Sequence, residues 1–392
     1  MTMRFTDYGL TDEQKALCSA VQALCARFPE TYWRDLDTRQ EYPDAFVKAL
    51  TGGGFLAAMI PESYGGMGLG VMEGGLILEE INRSGANGGP THAQMYTMGT
   101  VLRHGSASQK QAYLPGIAKG ELRLQAFGVT EPDAGSDTTR ITTRAERKGG
   151  KYVVNGRKVF ISRVLQSDLL LLLCRTTPAE QCAKRTDGLS VLLVDLRRAV
   201  GNGLEVRPIS LMINHHSNEL TFENLEVPAE NLVGEEGMGF RYILSSMNAE
   251  RILIASEAVG DGRYFVEKAV AYANSRVVFD RPIGRNQGVQ FPIAKAYAAV
   301  EAARLVRDKA ARMFDGGGNP GEEANMAKYL GAEAAWEAAN TCMDIHGGYS
   351  MATEYHIERK FREARLFRVA PVTQNMVLNY LAQNVLGLPR SY

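Results

Sequence analysis

The amino-acid sequence predicts an α+β protein whose parts follow the order helical, β, helical along the chain. The spacing of apolar residues changes near residue 122 from helical periodicity to short alternating runs, and near residue 240 it returns to helical periodicity. The chain has 392 residues, of which 45% are hydrophobic, enough for two or three compact units with large cores. We therefore predict domains over residues 1–121, 122–233 and 234–392.

The first region begins with a helix-start signal at Thr11, whose hydroxyl precedes a turn rich in acidic residues. The apolar residues that follow recur on one helical face, namely Leu17, Ala20, Val21 and Leu24. Glycine-containing segments at 52–54 and 61–66 indicate loops. Further helices are predicted over 71–81 and 108–117.

The second region consists of short β-rich runs separated by Gly, Asn and Asp turns, at 152–154, 158–161, 169–173, 190–194 and 219–222. The pair Asn155-Gly156 favours a tight turn with positive φ, so we predict a hairpin between the first two runs. The longest aliphatic run, 169–174, has six residues, whereas a membrane-spanning helix needs about 20. We expect this run to form a buried strand.

The third region returns to long helical patterns, over 238–272, 289–314, 325–346 and 372–386. A glycine- and proline-rich stretch at 316–320 separates the second pattern from the third. No internal repeat or low-complexity tract appears in the sequence.

Composition excludes several classes of function. Lys plus Arg and Asp plus Glu are 44 each, so no net charge attracts nucleic acid or an anionic membrane. Five scattered cysteines indicate reduced thiols, and the six histidines, including the pair 215–216, lack the spacing of metal ligands. The N-terminus lacks the apolar stretch of a secretory signal. We expect a cytoplasmic enzyme without structural metal, with neither nucleic-acid nor membrane partners.

The most informative segment is 124–137, where an alternating apolar run stops at Thr130 and continues into a turn of small residues. Pro132 fixes its own φ, while Gly135 and Ser136 allow the backbone to approach a ligand and offer donors to it. Turn chemistry alone fits a ligand cradle and an ordinary strand-to-turn junction equally well.

The string Thr-Glu-Pro-Asp-Ala-Gly-Ser-Asp at 130–137 resembles the signature of the acyl-CoA dehydrogenase flavoprotein family at every defined position. Further stretches are similar in the same order, at 155–162, 276–279, 287, 347–348 and 386–389. The resemblance covers nearly the whole chain. It implies an N-terminal helical domain, a middle β-barrel or sandwich domain and a C-terminal four-helix bundle. It also implies FAD, a role in fatty acid metabolism, and a homo-oligomer built as a dimer of dimers, a homotetramer.

The resemblance implies contacts with the flavin ring from five residues: Phe127, Val129, Thr130, Phe160 and Ser162. Thr130 is matched to the pyrimidine edge of the flavin. Phe160 stands where the family usually has Trp, and Ser162 stands where a Thr hydroxyl donates near N5. Both replacements keep the required group, an apolar plane or a hydroxyl.

Other parts of FAD are matched to residues later in the chain. The resemblance implies that Arg276, Phe279 and Gln287 reach the FAD of a neighbouring subunit, with Arg276 meeting the pyrophosphate through its bidentate donor fork. Gly347 and Gly348 are matched to the adenine half. Two residues with hydroxyl groups complete the set. Ser136 is matched to the pyrophosphate or ribityl side of FAD and also to the substrate, and Thr373 is matched to a further cofactor contact.

The catalytic segment departs from the family pattern. The family reaction needs a positioned carboxylate to remove the α proton of an acyl-CoA thioester, while the β hydrogen leaves as hydride to flavin N5. An ungapped count places Pro371 where that Glu usually lies, and proline supplies neither a base nor an N–H for the thioester carbonyl. A slip of one residue would place Ala370 there and restore only the N–H. No carboxylate lies between 366 and 392.

Glu250 offers an alternative base. Its surroundings, Met-Asn-Ala-Glu-Arg-Ile, match the place where isovaleryl-CoA and long-chain members carry the base on a bundle helix. We predict Glu250 as the base, with a pKa raised by an apolar, substrate-filled pocket, and Arg251 as a substrate contact. A Glu-Arg pair is also typical of a helix surface. Arg83 is a candidate for binding an acidic acyl group, although most helix-end arginines are ordinary cations.

Three functions stay open on the sequence. The first is an FAD-dependent acyl-CoA dehydrogenase that uses Glu250 and passes electrons to electron-transfer flavoprotein. The second is a family relative with altered chemistry, namely an enoyl-CoA reductase of the carnitine type, a desulfinase or a flavin monooxygenase. The third is a catalytically silent flavin-binding subunit of a hetero-oligomer.

Overall fold

The computed structural model describes residues 9–391. Residues 1–8 and Tyr392, which belong to the first and last predicted domains, lie outside the described residues. The helices are α1 (Asp12–Cys25), α2 (Glu30–Arg39), α3 (Asp44–Gly52), α4 (Val71–Arg83), α5 (Gly89–His104), α6 (Ala107–Lys119), α7 (Leu196–Ala199), α8 (Gly239–Ser275), α9 (Gln287–Asp315), α10 (Gly321–His346), α11 (Ile357–Ala364) and α12 (Gln374–Tyr380). The strands are β1 (Ala126–Gly128), β2 (Arg144–Lys148), β3 (Lys151–Ser162), β4 (Leu169–Arg175), β5 (Leu189–Asp195), β6 (Leu204–Pro208), β7 (Ser217–Pro228), β8 (Leu232–Val233), β9 (Val277–Val278) and β10 (Arg281–Pro282).

These elements confirm the predicted α+β class with the order helical, β, helical along the chain. The folded chain forms two compact units. Unit 1 comprises the described residues up to Pro43, Gly70–Gly88 and the chain from Asn248 onward. Unit 2 comprises Asp44–Leu69 and Gly89–Met247. The three predicted domain boundaries stay a prediction.

Unit 2 is built on one sheet with the strand order β6-β7-β3-β2-β4-β5-β8, and β1 pairs with β4 in parallel. Strand β4 is buried along its whole length, which confirms the expectation for the aliphatic run at 169–174. Its alternate residues enter two different hydrophobic clusters, Leu170 and Leu172 in one and Leu169 and Leu171 in the other. A strand covered on both faces needs apolar residues at every position, which explains the uninterrupted run.

The hairpin predicted at Asn155-Gly156 is wrong. Both residues lie inside the continuous strand β3, where the pairing with β7 shifts register between Val154 and Gly156. Gly156 has φ +147°, and a Cβ there would lie 2.6 Å from the Thr143 backbone, so the glycine permits a bulge and close approach rather than a turn. The chain reverses instead between β2 and β3, where Lys148 pairs with Lys151.

Most predicted helices are confirmed with bounds extended by a few residues. Helix α1 begins with the predicted Thr11 cap, which forms a capping box with Gln14. The last predicted helix, 372–386, is shorter, because the Thr373 hydroxyl caps the helix that starts at Gln374 and a π turn follows Tyr380. The prediction omitted four helices longer than one turn: α2, α3, α5 and α11.

In unit 1, helices α9 and α10 pack together in an alanine-rich core that also contains Phe265 of α8. A buried ionic network joins three helices: Glu79 of α4 lies 2.5 Å from Arg263 of α8 and 2.5 Å from Arg307 of α9. Burial raises the pKa of Glu79, but the two guanidiniums outweigh burial and lower the pKa to about 2. The carboxylate is therefore charged at neutral pH and stabilises unit 1.

We expect Glu79→Gln to make the free energy of unfolding less dependent on pH in the acidic range. A depressed carboxyl pKa contributes stability above the unfolded pKa of about 4.3, and this contribution is lost as pH falls towards 2. At pH 7 the free energy of unfolding of the wild type should exceed that of the variant by an amount on the order of 2 kcal/mol. This difference should shrink between pH 5 and pH 3. Urea midpoints at pH 7, 5, 4 and 3 measure it. A difference that stays constant with pH contradicts the account.

Within residues 9–391, no helix is long and apolar enough to cross a membrane. The same part of the chain contains no group of three His, Cys, Asp or Glu side chains placed to hold a metal ion. All five cysteines are free thiols; Cys182 is half-buried and the other four are buried.

Candidate functional site

The segment predicted to face the flavin ring leaves the sheet of unit 2 as an exposed turn. Strand β1 carries Phe127 beside Leu171 of β4, and both N–H···O bonds between Glu131 and Ala134 close the turn, each at 3.1 Å. Phe127, Val129 and Thr130 are half-buried, whereas Gly135 and Ser136 are exposed. A Cβ at Gly135 would meet no atom within 4 Å, so the turn faces open space, as a ligand cradle requires.

Strand β3 brings the second predicted flavin segment beside the first. The Val159 N–H donates to the Thr130 carbonyl at 2.9 Å. Between Lys158 and Ile161 the pairing with β7 shifts register, and Phe160 has φ +58° in this bulge with 59% of its surface exposed. The half-buried Ser162 lies opposite Ser217. The fold thus places Thr130, Phe160 and Ser162 at the edge of the sheet where strand β3 ends.

Two residues behind this edge were not predicted as part of the site. Lys158 is fully buried; its Nζ lies 2.8 Å from the Val129 carbonyl and 3.0 Å from Glu131 Oε1. Burial raises the pKa of Glu131, but Lys158 and donors from Thr142 and Thr143 outweigh burial and lower it. A buried cation and anion therefore bracket Thr130. The available sequence signal was a lysine directly before the apolar run Val159 to Ile161.

An exposed aromatic ring held in the left-handed region is consistent with a ligand contact. A non-glycine residue at positive φ is strained by about 1 kcal/mol, and such strain concentrates at functional sites. Phe160 combines this strain with an apolar surface that the fold leaves in water. The residues at this edge supply a plane, two hydroxyls and open space, which fit an isoalloxazine ring.

We expect Phe160→Gly to stabilise the FAD-free protein while weakening FAD binding. Glycine adopts φ +58° without strain, which adds about 1 kcal/mol to the free energy of unfolding. Loss of the ring should raise the FAD dissociation constant about tenfold. Gln40→Gly is the matched control, because Gln40 has φ +52° at the end of α2. Urea unfolding and FAD titration of both variants measure the two effects; an unchanged FAD affinity in Phe160→Gly excludes the contact.

In unit 1, the predicted inter-subunit residues lie on or near a small hairpin. Strands β9 and β10 are joined by Phe279 and Asp280, with φ of +51° and +62°, the pattern of a type I′ turn. Phe279 at the tip is 94% exposed. The Arg276 guanidinium lies 5.5 Å from the centre of the Tyr349 ring. Gln287, the first residue of α9, is also exposed.

The predicted glycine pair lies at the C-terminal end of α10. Gly347 has φ +56° and ψ −135°, a conformation that favours glycine. A Cβ at either Gly347 or Gly348 would meet no atom within 4 Å, so both glycines face open space. Thr373 lies elsewhere in unit 1, where its hydroxyl accepts from the Met376 N–H at 3.4 Å. This cap explains Thr373 without a ligand, and its cofactor contact stays a prediction.

The candidate base Glu250 lies on α8 and is 8% exposed. Its neighbour Arg251 donates from Nη1 to Asn248 Oδ1 at 3.1 Å. Burial lowers the pKa of Arg251, and the nearby Glu250 carboxylate opposes this shift. A buried carboxylate differs from the surface Glu-Arg pair that helix patterns usually indicate.

Neither Pro371 nor Ala370 has a free N–H that could bind a thioester carbonyl. The Ala370 N–H donates to the Leu366 carbonyl at 2.9 Å, and Pro371 itself has no N–H. The donor that a one-residue slip would have restored is therefore already used within the chain.

A polar chain that was not predicted anchors this segment to α10. Lys328 Nζ donates to Gln374 Oε1 at 2.9 Å, and the Gln374 amide donates to Glu333 at 2.9 Å. Arg368 completes the chain through a 2.9 Å ion pair with Glu333. Burial, followed by the charge of Arg251, lowers the pKa of Lys328 to about 8. These residues lie far apart in the sequence, so only the fold brings them together.

Arg83, at the end of α4, forms an ion pair with Glu267 at 2.8 Å and lies 3.7 Å from Glu80. These partners match the ordinary helix-end cation that the sequence also allowed. Its role in binding an acidic acyl group stays a prediction.

Family models match this chain in three consecutive parts. Acyl-CoA dehydrogenase, N-terminal domain, matches residues 11–121; the middle domain matches 126–225; and the C-terminal domain matches 237–386.

The chain is 36% identical to acyl-CoA dehydrogenase FadE12 of Mycobacterium tuberculosis over 395 residues, covering 100% of both proteins. A solved glutaryl-coenzyme A dehydrogenase in complex with glutaryl-CoA has a TM-score of 0.91 at 31% identity, covering 98% of each chain. Butyryl-CoA dehydrogenase from Megasphaera elsdenii has a TM-score of 0.90 at 27% identity, covering 97% of this chain and 100% of its own.

Proposed function

Because this chain belongs to the acyl-CoA dehydrogenase family, we propose that it introduces an α,β double bond into an acyl-CoA thioester with Glu250 as the base. The chain is an oxidoreductase, and FAD is its cofactor. The observation that carries the proposal is the burial of Glu250 on α8 together with the absence of any carboxylate between 366 and 392.

Glu250 removes the α proton of the thioester in this proposal. A buried carboxylate is desolvated, which makes it a stronger base towards a carbon acid. Arg251 contacts the substrate beside it, and Asn248 orients the guanidinium. Once Glu250 is protonated, it is neutral and no longer forms a pair of opposite charges with Arg251. The proton must leave Glu250 before the next cycle.

Residues of unit 2 hold the flavin ring in this proposal. When bound there, FAD would supply the acceptor for the β hydrogen, which would leave the substrate as a hydride. Thr130 and Ser162 offer hydroxyls to the ring, Phe160 offers a plane, and Ser136 contacts the ribityl or pyrophosphate side. Support comes from the strained, exposed Phe160 and from its hydrogen-bonded proximity to Thr130 through Val159.

Arg276, Phe279 and Gln287 contact the FAD of a neighbouring subunit, so we assign the protein a homotetrameric, dimer-of-dimers assembly. An aromatic side chain at the tip of a hairpin, 94% exposed, is expected to be buried by a partner. Electron-transfer flavoprotein is the proposed electron acceptor. A solved chain from a structure of the electron transferring flavoprotein of Acidaminococcus fermentans matches this one with a TM-score of 0.91 at 30% identity.

We expect Phe279→Ser to weaken assembly. Burial of a phenylalanine side chain stabilises by about 2 kcal/mol, so the association constant should fall on the order of 30-fold. Sedimentation equilibrium and the amount of FAD bound per chain measure the effect. Val200→Ser removes another exposed apolar side chain and should change neither quantity. If Phe279→Ser remains fully assembled with normal FAD content, the hairpin does not form the interface.

One observation favours a second function. Pro371 and the bonded Ala370 N–H leave no free donor at the usual carbonyl position, which suits a family relative with altered chemistry, such as an enoyl-CoA reductase, a desulfinase or a flavin monooxygenase. Anaerobic mixing of the FAD-loaded protein with a panel of saturated acyl-CoAs separates the alternatives. Bleaching of the flavin supports the dehydrogenase. With no bleaching, oxygen consumption by the reduced protein indicates a monooxygenase, and inertness indicates a desulfinase or a silent flavin-binding subunit.

A further inference from the structure

A basic cluster lies next to the flavin segment of unit 2, and no family motif accounts for it. We define it as Arg163, His215, His216 and His92. Arg163 directly follows Ser162 in the chain and is only 3% exposed. Its Nη2 lies 3.3 Å from His215 Nδ1.

The backbone fixes the start of the Arg163 side chain. Arg163 has φ +57°, and its N–H donates to the His216 carbonyl at 2.8 Å. The Asn218 amide donates to the Ile161 carbonyl at 3.0 Å and to the His216 carbonyl at 2.9 Å. These bonds connect the end of β3 to the segment that carries His216. A non-glycine residue in this strained conformation indicates that the surroundings hold Arg163 in place.

The cluster carries the charge of Arg163. Burial, followed by the charges of Arg163, His216 and His92, holds the pKa of His215 well below its usual range. A neutral His215 accepts a hydrogen bond at Nδ1, and a guanidinium has only donors to offer. His215 thus orients the positive charge without adding to it.

Ring contacts link the cluster to the other flavin segment. The rings of His92 and Tyr96 on α5 lie 5.2 Å apart between centres, and those of Tyr96 and Phe127 lie 6.0 Å apart. The basic cluster therefore adjoins Ser162 through the chain and Phe127 through packed rings, the two segments assigned to the flavin ring.

We infer that the Arg163 guanidinium raises the reduction potential of bound FAD, by stabilising the negative charge that the flavin ring gains when it accepts a hydride. This inference rests on the flavin placement in the proposed function. Charges interact several times more strongly in a buried site than in water, so one fixed guanidinium is sufficient for a measurable effect.

The test uses the purified, FAD-loaded protein, equilibrated anaerobically with a redox dye of known potential. In Arg163→Gln we expect the ratio of reduced to oxidised FAD at a fixed dye poise to fall at least tenfold, a shift of about 30 mV for a two-electron couple. Arg163→Lys keeps the charge and should stay within about threefold of the wild type. Arg157→Gln removes an exposed cation of β3, the strand that Arg163 follows; Arg157 is paired with Glu219, and its loss should leave the ratio unchanged. An unchanged ratio in Arg163→Gln overturns the inference.

Two further variants keep the outcome decisive. His215→Asp leaves Arg163 in place but sets a carboxylate against it, so the ratio of reduced to oxidised FAD should fall even if Arg163→Gln does not fold. An unchanged ratio in His215→Asp opposes the inference.

Ser162→Ala tests the flavin placement, because loss of a hydroxyl beside the ring alters the absorption spectrum of the flavin. If Ser162→Ala changes the spectrum and Arg163→Gln leaves the ratio unchanged, only the role of Arg163 fails. An unaltered spectrum in Ser162→Ala removes the flavin placement itself.

Discussion

Glu250→Gln is expected to slow the bleaching of bound FAD by a substrate acyl-CoA about 10³-fold, within the range that general base catalysis contributes. Glutamine has the same length and shape as glutamate, but it is neutral and cannot take a proton. Because the chain has no carboxylate side chain after residue 366, no acidic residue from that segment can replace it.

The measurement is anaerobic stopped-flow absorbance of the FAD-loaded protein with the acyl-CoA that bleaches the wild type. Glu257→Gln is the matched control: Glu257 lies seven residues later on α8, is buried, and undergoes the same change. We expect the control to bleach at nearly the wild-type rate and both variants to keep the FAD spectrum. Bleaching at an undiminished rate in Glu250→Gln would falsify its role as the base.

Lys158→Met is expected to lower the free energy of unfolding by about 3–5 kcal/mol and to impair FAD binding. Breaking a buried ion pair leaves one charge in the interior without compensation. Here the uncompensated charge is the carboxylate of Glu131, which lies 3.0 Å from the Lys158 Nζ and directly follows Thr130 in the chain. Burial lowers the pKa of Lys158 and Glu131 opposes this shift, so the pair supports both charged forms.

Urea unfolding and FAD titration test this expectation together. Lys151→Met is the control, because Lys151 begins the same strand but forms an exposed pair with Glu226, and exposed pairs contribute about 0–1 kcal/mol. The double variant Lys158→Met/Glu131→Gln should recover part of the loss, since the uncompensated charge is gone. A single variant as stable as the control, with normal FAD affinity, would show that the buried pair does not support the site.

Much of the fold followed from apolar spacing. The 169–174 run specified a strand covered on both faces, and the cap at Thr11 specified a helix start, because each signal acts within a few residues. The Asn155-Gly156 prediction failed for the opposite reason. The local preference for a turn was overridden by the pairing of β3 with β7, a strand that lies much later in the sequence.

The candidate site divides in the same way. The family resemblance implied roles for Thr130, Phe160, Ser162 and Glu250, and the structure adds strain at Phe160 and burial at Glu250. It also shows that the Ala370 N–H donates to the Leu366 carbonyl. That bond joins residues only four positions apart, in the turn that follows α11, and no motif in the segment indicated it.

By itself, the sequence determined the α+β order through local periodicity, the acyl-CoA dehydrogenase family and FAD through its motifs, and the absence of any Asp or Glu after residue 365. Only the tertiary structure decided which side chain partners each of three buried cations: Glu131 for Lys158, His215 for Arg163, and Gln374 for Lys328. Side-chain electrostatics depend on distance and burial, and both are set by contacts between residues 27, 52 and 46 positions apart.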